Sequence, residues 1–202
     1  ECDRKDCRDL EVCQMNGNEI LTSLRQLTRF YGDSSLLLRT GEACLAKEGW
    51  TSVTGNLAIA NLSKSIQYPE CWPPYYAFRF FQNDRYKSLL AFLSVVFDLP
   101  EDPKLIREPL VIAGWCDFGK GNTPGDKWEY HYATLHLWMP NRRDDGQLFR
   151  LDPRKEWPED GYKMSQLATL AIPLVAITSS EGLRDRVIQP LLRGIAEDTS
   201  SQ

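Results

Sequence analysis

The chain has 202 residues, of which 42% are hydrophobic and 26% are charged. This length and balance are typical of a folded domain and exclude a disordered or fibrous chain. The formal net charge of −4 and the pI near 5.3 argue against whole-surface attraction to nucleic acid or anionic lipid. No apolar run is long enough to cross a bilayer, so we expect no membrane partner.

Two helices are predicted in the first quarter of the chain. Residues 1–16 are charged and aperiodic, which indicates a loose arm. Apolar residues then follow helical spacing up to Gly32, where we expect the first helix to end. Their positions are Ile20, Leu21, Leu24, Leu27 and Tyr31. A second helix is predicted from a cap at Asp33 or Ser34 to Gly49, and residues 50–74 are predicted to be irregular, with a short helix around 57–65.

Aromatic and β-branched segments separated by turn residues predict strands after Pro74. Residues 76–81 and 86–97 are expected to form one hairpin. Residues 110–118 and 128–139 are expected to form a second one, joined by a glycine-rich loop at 119–125. Residues 149–151 and 167–177 are predicted strands. A closing helix is expected to begin at a cap on Ser179 or Ser180 and to kink at Pro190.

This order of elements predicts an α+β fold made of a single domain. We expect a mainly antiparallel sheet of about five strands over residues 75–178, with two N-terminal helices and one C-terminal helix packed on it. The predicted boundaries are an arm at 1–16, a globular domain at 17–196 and a tail at 197–202.

Six cysteines give little support for a metal or disulfide framework. Cys2, Cys7 and Cys13 lack the close pairs typical of zinc ligands, so we expect exposed thiols, no metal site and no cofactor. Cys44 and Cys116 lie within apolar patterns and are expected to be buried. Because a domain of this size does not need disulfides, the sequence favours a reduced, cytoplasmic protein.

A partial phosphate-loop match runs from Gly114 to Lys120, with the spacing G-x-x-x-x-G-K. Gly121 stands where serine or threonine would bind magnesium, and the following residues continue as a turn instead of opening a helix. A glycine-rich turn therefore explains this segment better than a nucleotide site.

Two enzyme hypotheses remain open. Cys116 could be activated by His131 or His136, with Asp117 or Glu129 orienting the imidazole, if the strands at 110–118 and 128–139 pair. The two histidines should point to opposite faces because they are an odd number of residues apart. Alternatively, a nuclease-like site could use carboxylates such as Asp98, Asp117 and Glu129.

An aromatic strand face is the main binding candidate. Its residues are Tyr130, Tyr132, His136 and Trp138, and Arg142 and Arg143 follow. The sequence does not determine a function, but this face favours a non-catalytic protein-binding or assembly domain whose partner is another protein or a second copy. The alternatives are an enzyme, as above, and single-stranded nucleic-acid binding, which local arginines allow and the acidic pI disfavours.

Overall fold

A long helix, an antiparallel sheet and a closing helical segment make up the computed structural model. It describes residues 16–60, 74–98, 108–119, 121, 122, 124, 145–156 and 163–200. The chain divides into two compact units, residues 1–36 and residues 37–202. The described part of the first unit, residues 16–36, is helical from Gly17 onward. The second unit holds the sheet and the closing helices.

Helix α1 (Gly17–Ala46) is continuous, so the predicted break at Gly32 is wrong. Its start is a capping box, in which Asn16 Oδ1 accepts the amide of Glu19 at 3.1 Å and the Glu19 carboxylate accepts the amide of Asn16 at 2.8 Å. Gly32 costs a helix only about 1 kcal/mol relative to alanine, which does not stop it. Ser34 donates to the Phe30 carbonyl inside the helix instead of capping a new one. The predicted end holds, because Gly49 takes φ +80° just after the helix.

Seven strands form one sheet in the described part of the chain, and every pairing is antiparallel. The strands are β1 (Thr51–Ser52), β2 (Ile59–Ala60), β3 (Tyr76–Gln82), β4 (Leu89–Val96), β5 (Leu110–Asp117), β6 (Phe149–Leu151) and β7 (Gln166–Pro173). The order is β1-β3-β4-β5-β7-β6, and β2 also pairs with β3. The predicted α+β class, the antiparallel sheet and the hairpin of β3 with β4 are therefore confirmed.

The second predicted hairpin is wrong. Strand β5 pairs with β4 along one edge and with β7 along the other. Cys116, for example, lies opposite Leu90 of β4 and opposite Leu167 of β7. A strand has only two hydrogen-bonding edges, so β5 has none left for residues 128–139. Those residues lie outside the described part of the chain.

The closing segment begins where the sequence predicts it. Ser179 caps helix α3 (Ser180–Leu183) by accepting the amide of Gly182 at 3.0 Å. A π-helical turn (Arg184–Ile188) and helix α4 (Gln189–Ser200) follow. Pro190 explains the wide turn, because proline has no amide hydrogen and its ring clashes with the carbonyl four residues earlier. A short helix α2 (Pro153–Glu156) lies between β6 and β7.

The sheet is buried on both faces, and the helices of the second unit pack on one of them. This helix face includes Trp115, Ala113 and Leu93, which share a cluster with Leu45 of α1 and Leu191 of α4. The opposite face is named here the phenylalanine face. It carries the rings of Phe78, Phe80 and Phe92, whose centroids lie 5.9–6.3 Å apart. Alternation along each strand sends consecutive residues to opposite faces.

Candidate functional site

All residues of the predicted aromatic strand face lie outside the described part of the chain. This holds for Tyr130, Tyr132, His136, Trp138, Arg142 and Arg143, and also for Glu129 and His131. The role of these residues stays a prediction.

Cys116 and Asp117 are both buried and follow each other on β5. Cys116 is 0% exposed and packs in the phenylalanine face, while Asp117 is 3% exposed and alternation places it on the helix face. The Asp117 carboxylate accepts the amide of Gly119 at 2.9 Å. The Cys116 thiol is therefore shielded from solvent, and the side chains of Cys116 and Asp117 lie on opposite faces of the sheet.

Two of the carboxylates proposed for a nuclease-like site, Asp98 and Asp117, are not brought together, and the third, Glu129, lies outside the described residues. Asp98 lies two residues after Val96, the last residue of β4. Val96 is opposite Leu110, the first residue of β5. Asp117 lies at the other end of β5, opposite Leu89. The length of the strands therefore separates these two carboxylates.

Gly114 has a packing role that explains its presence in the phosphate-loop match. It lies in the middle of β5, where an added Cβ would collide with the Ala168 carbonyl oxygen and lie 2.6 Å from Cζ of Phe92. Gly119 and Gly121, with φ of +77° and +85°, form the turn that follows. The first glycine thus serves close packing within the sheet and does not open a phosphate-binding turn.

A polar cluster lines an open cavity of about 350 Å³ beside β6 and β7. Its lining residues are Arg150, Leu151, Asp152, Ser165 and Gln166. Asp198 of α4 accepts from Arg150 Nε at 3.0 Å and from Gln166 Nε2 at 2.9 Å, and the Arg150 guanidinium lies 5.8 Å from the centre of the Trp115 ring. These contacts join the edge of the sheet to α4.

The remaining groups of this cavity are also engaged locally. The Ser165 hydroxyl donates to the Asp117 carbonyl oxygen at 3.0 Å. Asp152 caps α2, and its hydrogen bond with Arg154 lowers the pKa of the Asp152 carboxyl below its usual value. Since these charges neutralise one another, we interpret the cluster as structural.

An exposed apolar stripe on α1 is the most distinctive surface of the described residues. The α1 stripe consists of Ile20, Leu21, Leu24 and Leu27, which are 40–55% exposed. Its members fall at helical intervals along one side of the helix. Leu36 of α1, Leu57 and Val175 are also exposed, but they lie outside this stripe and occur singly, as is normal on protein surfaces. At the end of the α1 stripe, Tyr31 is half-buried, and this burial raises the pKa of its phenol.

The spacing of the α1 stripe is that of a coiled-coil seam. Ile20, Leu24, Leu27 and Tyr31 are separated by alternating steps of four and three residues. The same alternation continues along the helix through Ser34, Leu38, Gly41 and Leu45, which are buried. The sequence predicted the apolar periodicity of this helix, but only the structure shows that Ile20, Leu24 and Leu27 are exposed.

Comparisons with protein-family models, with curated proteins and with solved structures find no match for this chain. Within the described residues, no helix is long and apolar enough to cross a membrane. The same residues hold no group of three histidine, cysteine or acidic side chains placed to bind a metal ion. Any account of function must therefore come from the geometry of the chain itself.

Proposed function

We propose that this protein is a non-catalytic assembly domain that binds a helix of another polypeptide chain along the α1 stripe. The observation that carries the proposal is the exposure of four neighbouring aliphatic side chains, Leu24 being 55% exposed. Large aliphatic side chains gain free energy when they leave water, and contiguous exposed ones are typical of interaction surfaces.

The type of partner follows from the spacing. Residues at alternating intervals of three and four present knobs that fit the holes on another helix. An amphipathic helix with its own apolar stripe is therefore the structure best matched to this surface.

The aromatic strand face predicted around Tyr132 and Trp138 is a second candidate surface for the same function, which requires its side chains to be exposed. Its part in binding remains a separate prediction. Tyr132→Ala and Trp138→Ala test it, since loss of folding in either variant would show that these rings belong to the core.

The test compares three purified, tagged chains as baits in native lysate: the wild type, Leu24→Glu and Thr22→Glu. Both variants add one negative charge to an exposed position of α1, but Thr22 lies outside the α1 stripe. We expect wild type and Thr22→Glu to retain the same stoichiometric protein, which Leu24→Glu loses. The retained protein is then purified and titrated against all three chains, with a tenfold or greater loss of affinity expected for Leu24→Glu.

The proposal is overturned if the three chains retain the same proteins with equal affinity and also associate with themselves to the same extent. Glutamate has a helix propensity similar to that of leucine and higher than that of threonine, so circular dichroism should show that both variants keep their helix content. A loss of binding in Leu24→Glu is then assignable to the surface.

A further inference from the structure

We infer that the helix bound by the α1 stripe is α1 of a second copy of this chain. The inference rests on the proposed function above and names the partner of the same surface. Its support comes from the residues that flank the seam and from the area that the α1 stripe offers.

The positions beside the seam carry no charge. With Ile20 and Leu27 at d positions and Leu24 and Tyr31 at a positions, the flanking e and g positions are occupied by Leu21, Ser23, Thr28 and Phe30. Coiled coils choose a different partner mainly through charges at these positions. Here they hold no charge to select such a partner, and none to repel an identical helix.

The charged residues of this part of α1 lie away from the seam. Arg25 and Arg29 are exposed and occupy b and f positions, while Glu19 and Asp33 balance them in sign. Two copies can therefore approach along the α1 stripe without strong electrostatic repulsion. The balance also gives no basic face that would select an anionic lipid surface or an acidic peptide.

The α1 stripe offers only a small contact area. Stable interfaces bury about 1,200–2,000 Å² in total, and four side chains exposed by 40–55% on each of two copies supply clearly less. Self-association through this surface is therefore expected to be weak and reversible. Leu21 at an e position widens the seam, which allows more than two helices to meet.

Sedimentation velocity of the full chain tests the inference. The wild type and the Thr22→Glu control are measured over two decades of concentration, from about 5 µM to about 500 µM. We expect the mean mass of both to rise above the monomer value of 23.2 kDa as the concentration increases. The Leu24→Glu chain is expected to stay at that value throughout.

Two results would overturn self-association. One is a wild type that stays monomeric over the whole range, and the other is association that is unchanged in Leu24→Glu. If the monomeric wild type still retains a different protein that Leu24→Glu loses, the assembly function stands and only the identity of the partner is wrong. If no protein is retained through the α1 stripe either, both proposals are wrong.

Discussion

Single buried polar residues show where the fold gains and loses stability. Arg79 of β3 is 6% exposed, but it pairs with Glu42 at 2.7 Å and donates to the Leu57 carbonyl at 3.1 Å. By contrast, among the described side chains the hydroxyls of Ser94 and Thr169 are buried without a hydrogen-bond partner. A buried polar group without a partner costs free energy because its hydrogen bonds to water are not replaced.

We expect Thr169→Val to stabilise the protein. Valine has nearly the same shape, keeps the branched Cβ that suits a strand, and removes the buried hydroxyl. The free energy of unfolding in urea should rise by about 1 kcal/mol. Tryptophan fluorescence provides the signal.

The matched control for this change is Thr54→Val. Thr54 is half-buried, but its hydroxyl donates to the Leu57 carbonyl at 2.6 Å. Removing that hydroxyl should lower the free energy of unfolding by about 0.5–1.5 kcal/mol. If Thr169→Val lowers it as well, the Thr169 hydroxyl has a favourable partner in solution.

At the scale of elements, glycine allows close contact between the sheet and its helices. An added Cβ at Gly194 of α4 would lie 2.7 Å from Cη2 of Trp115 and 2.6 Å from Cδ2 of Leu148. Trp115 is fully buried, so its ring has no room to move away. Gly32 of α1, by contrast, has no atom within 4 Å of such a Cβ.

Gly194→Ala should therefore destabilise the protein even though alanine is the better helix former. We expect the free energy of unfolding to fall by about 1–3 kcal/mol, as for other overpacked sites. Gly32→Ala is the control and should leave it unchanged or raise it by up to about 1 kcal/mol. Equal effects in urea denaturation would show that α4 does not pack closely on Trp115.

Local signals predicted several elements correctly. Aromatic and β-branched segments between turn residues located β3 and β4, and the serine pair located the start of α3. These patterns are formed by residues that are close together in the sequence, so the sequence alone is enough to locate the elements. The predicted break at Gly32 was wrong because a glycine costs a helix only about 1 kcal/mol, which is smaller than the gain from continuing a capped helix.

Pairing between distant strands was not predictable in the same way. The sequence suggested that β5 pairs with the next strand-like segment, whereas β5 pairs with β7, about fifty residues later. Hydrophobic alternation gives the buried face of a strand but carries no information about its neighbour. The candidate dyad of Cys116 with a histidine was argued from that pairing, and both histidines lie outside the described residues.

At the scale of the whole molecule, burial changes along a single helix. Leu24 is 55% exposed in the first compact unit, and Leu45 is 0% exposed in the second. Both residues fit the same apolar periodicity, so the sequence identifies the apolar side of α1 without showing what covers it. This is why the α1 stripe was predicted as a helix face but not as a candidate site.

Alanine substitutions at these two leucines should separate folding from assembly. Leu45→Ala removes side-chain atoms from the cluster on the helix face, and we expect the free energy of unfolding to fall by about 2–5 kcal/mol. Leu24→Ala should change it by less than about 0.5 kcal/mol, because the side chain is largely in water and alanine favours the helix.

The measurement is urea denaturation at a few micromolar, where the wild type is expected to be monomeric. Sedimentation at high concentration completes the comparison. Leu24→Ala should lose self-association while keeping its stability, because the α1 stripe contributes to contacts between chains and Leu45 contributes to the core. A large loss of stability in Leu24→Ala would mean that the α1 stripe is covered within the monomer, and it would remove the basis for an assembly role.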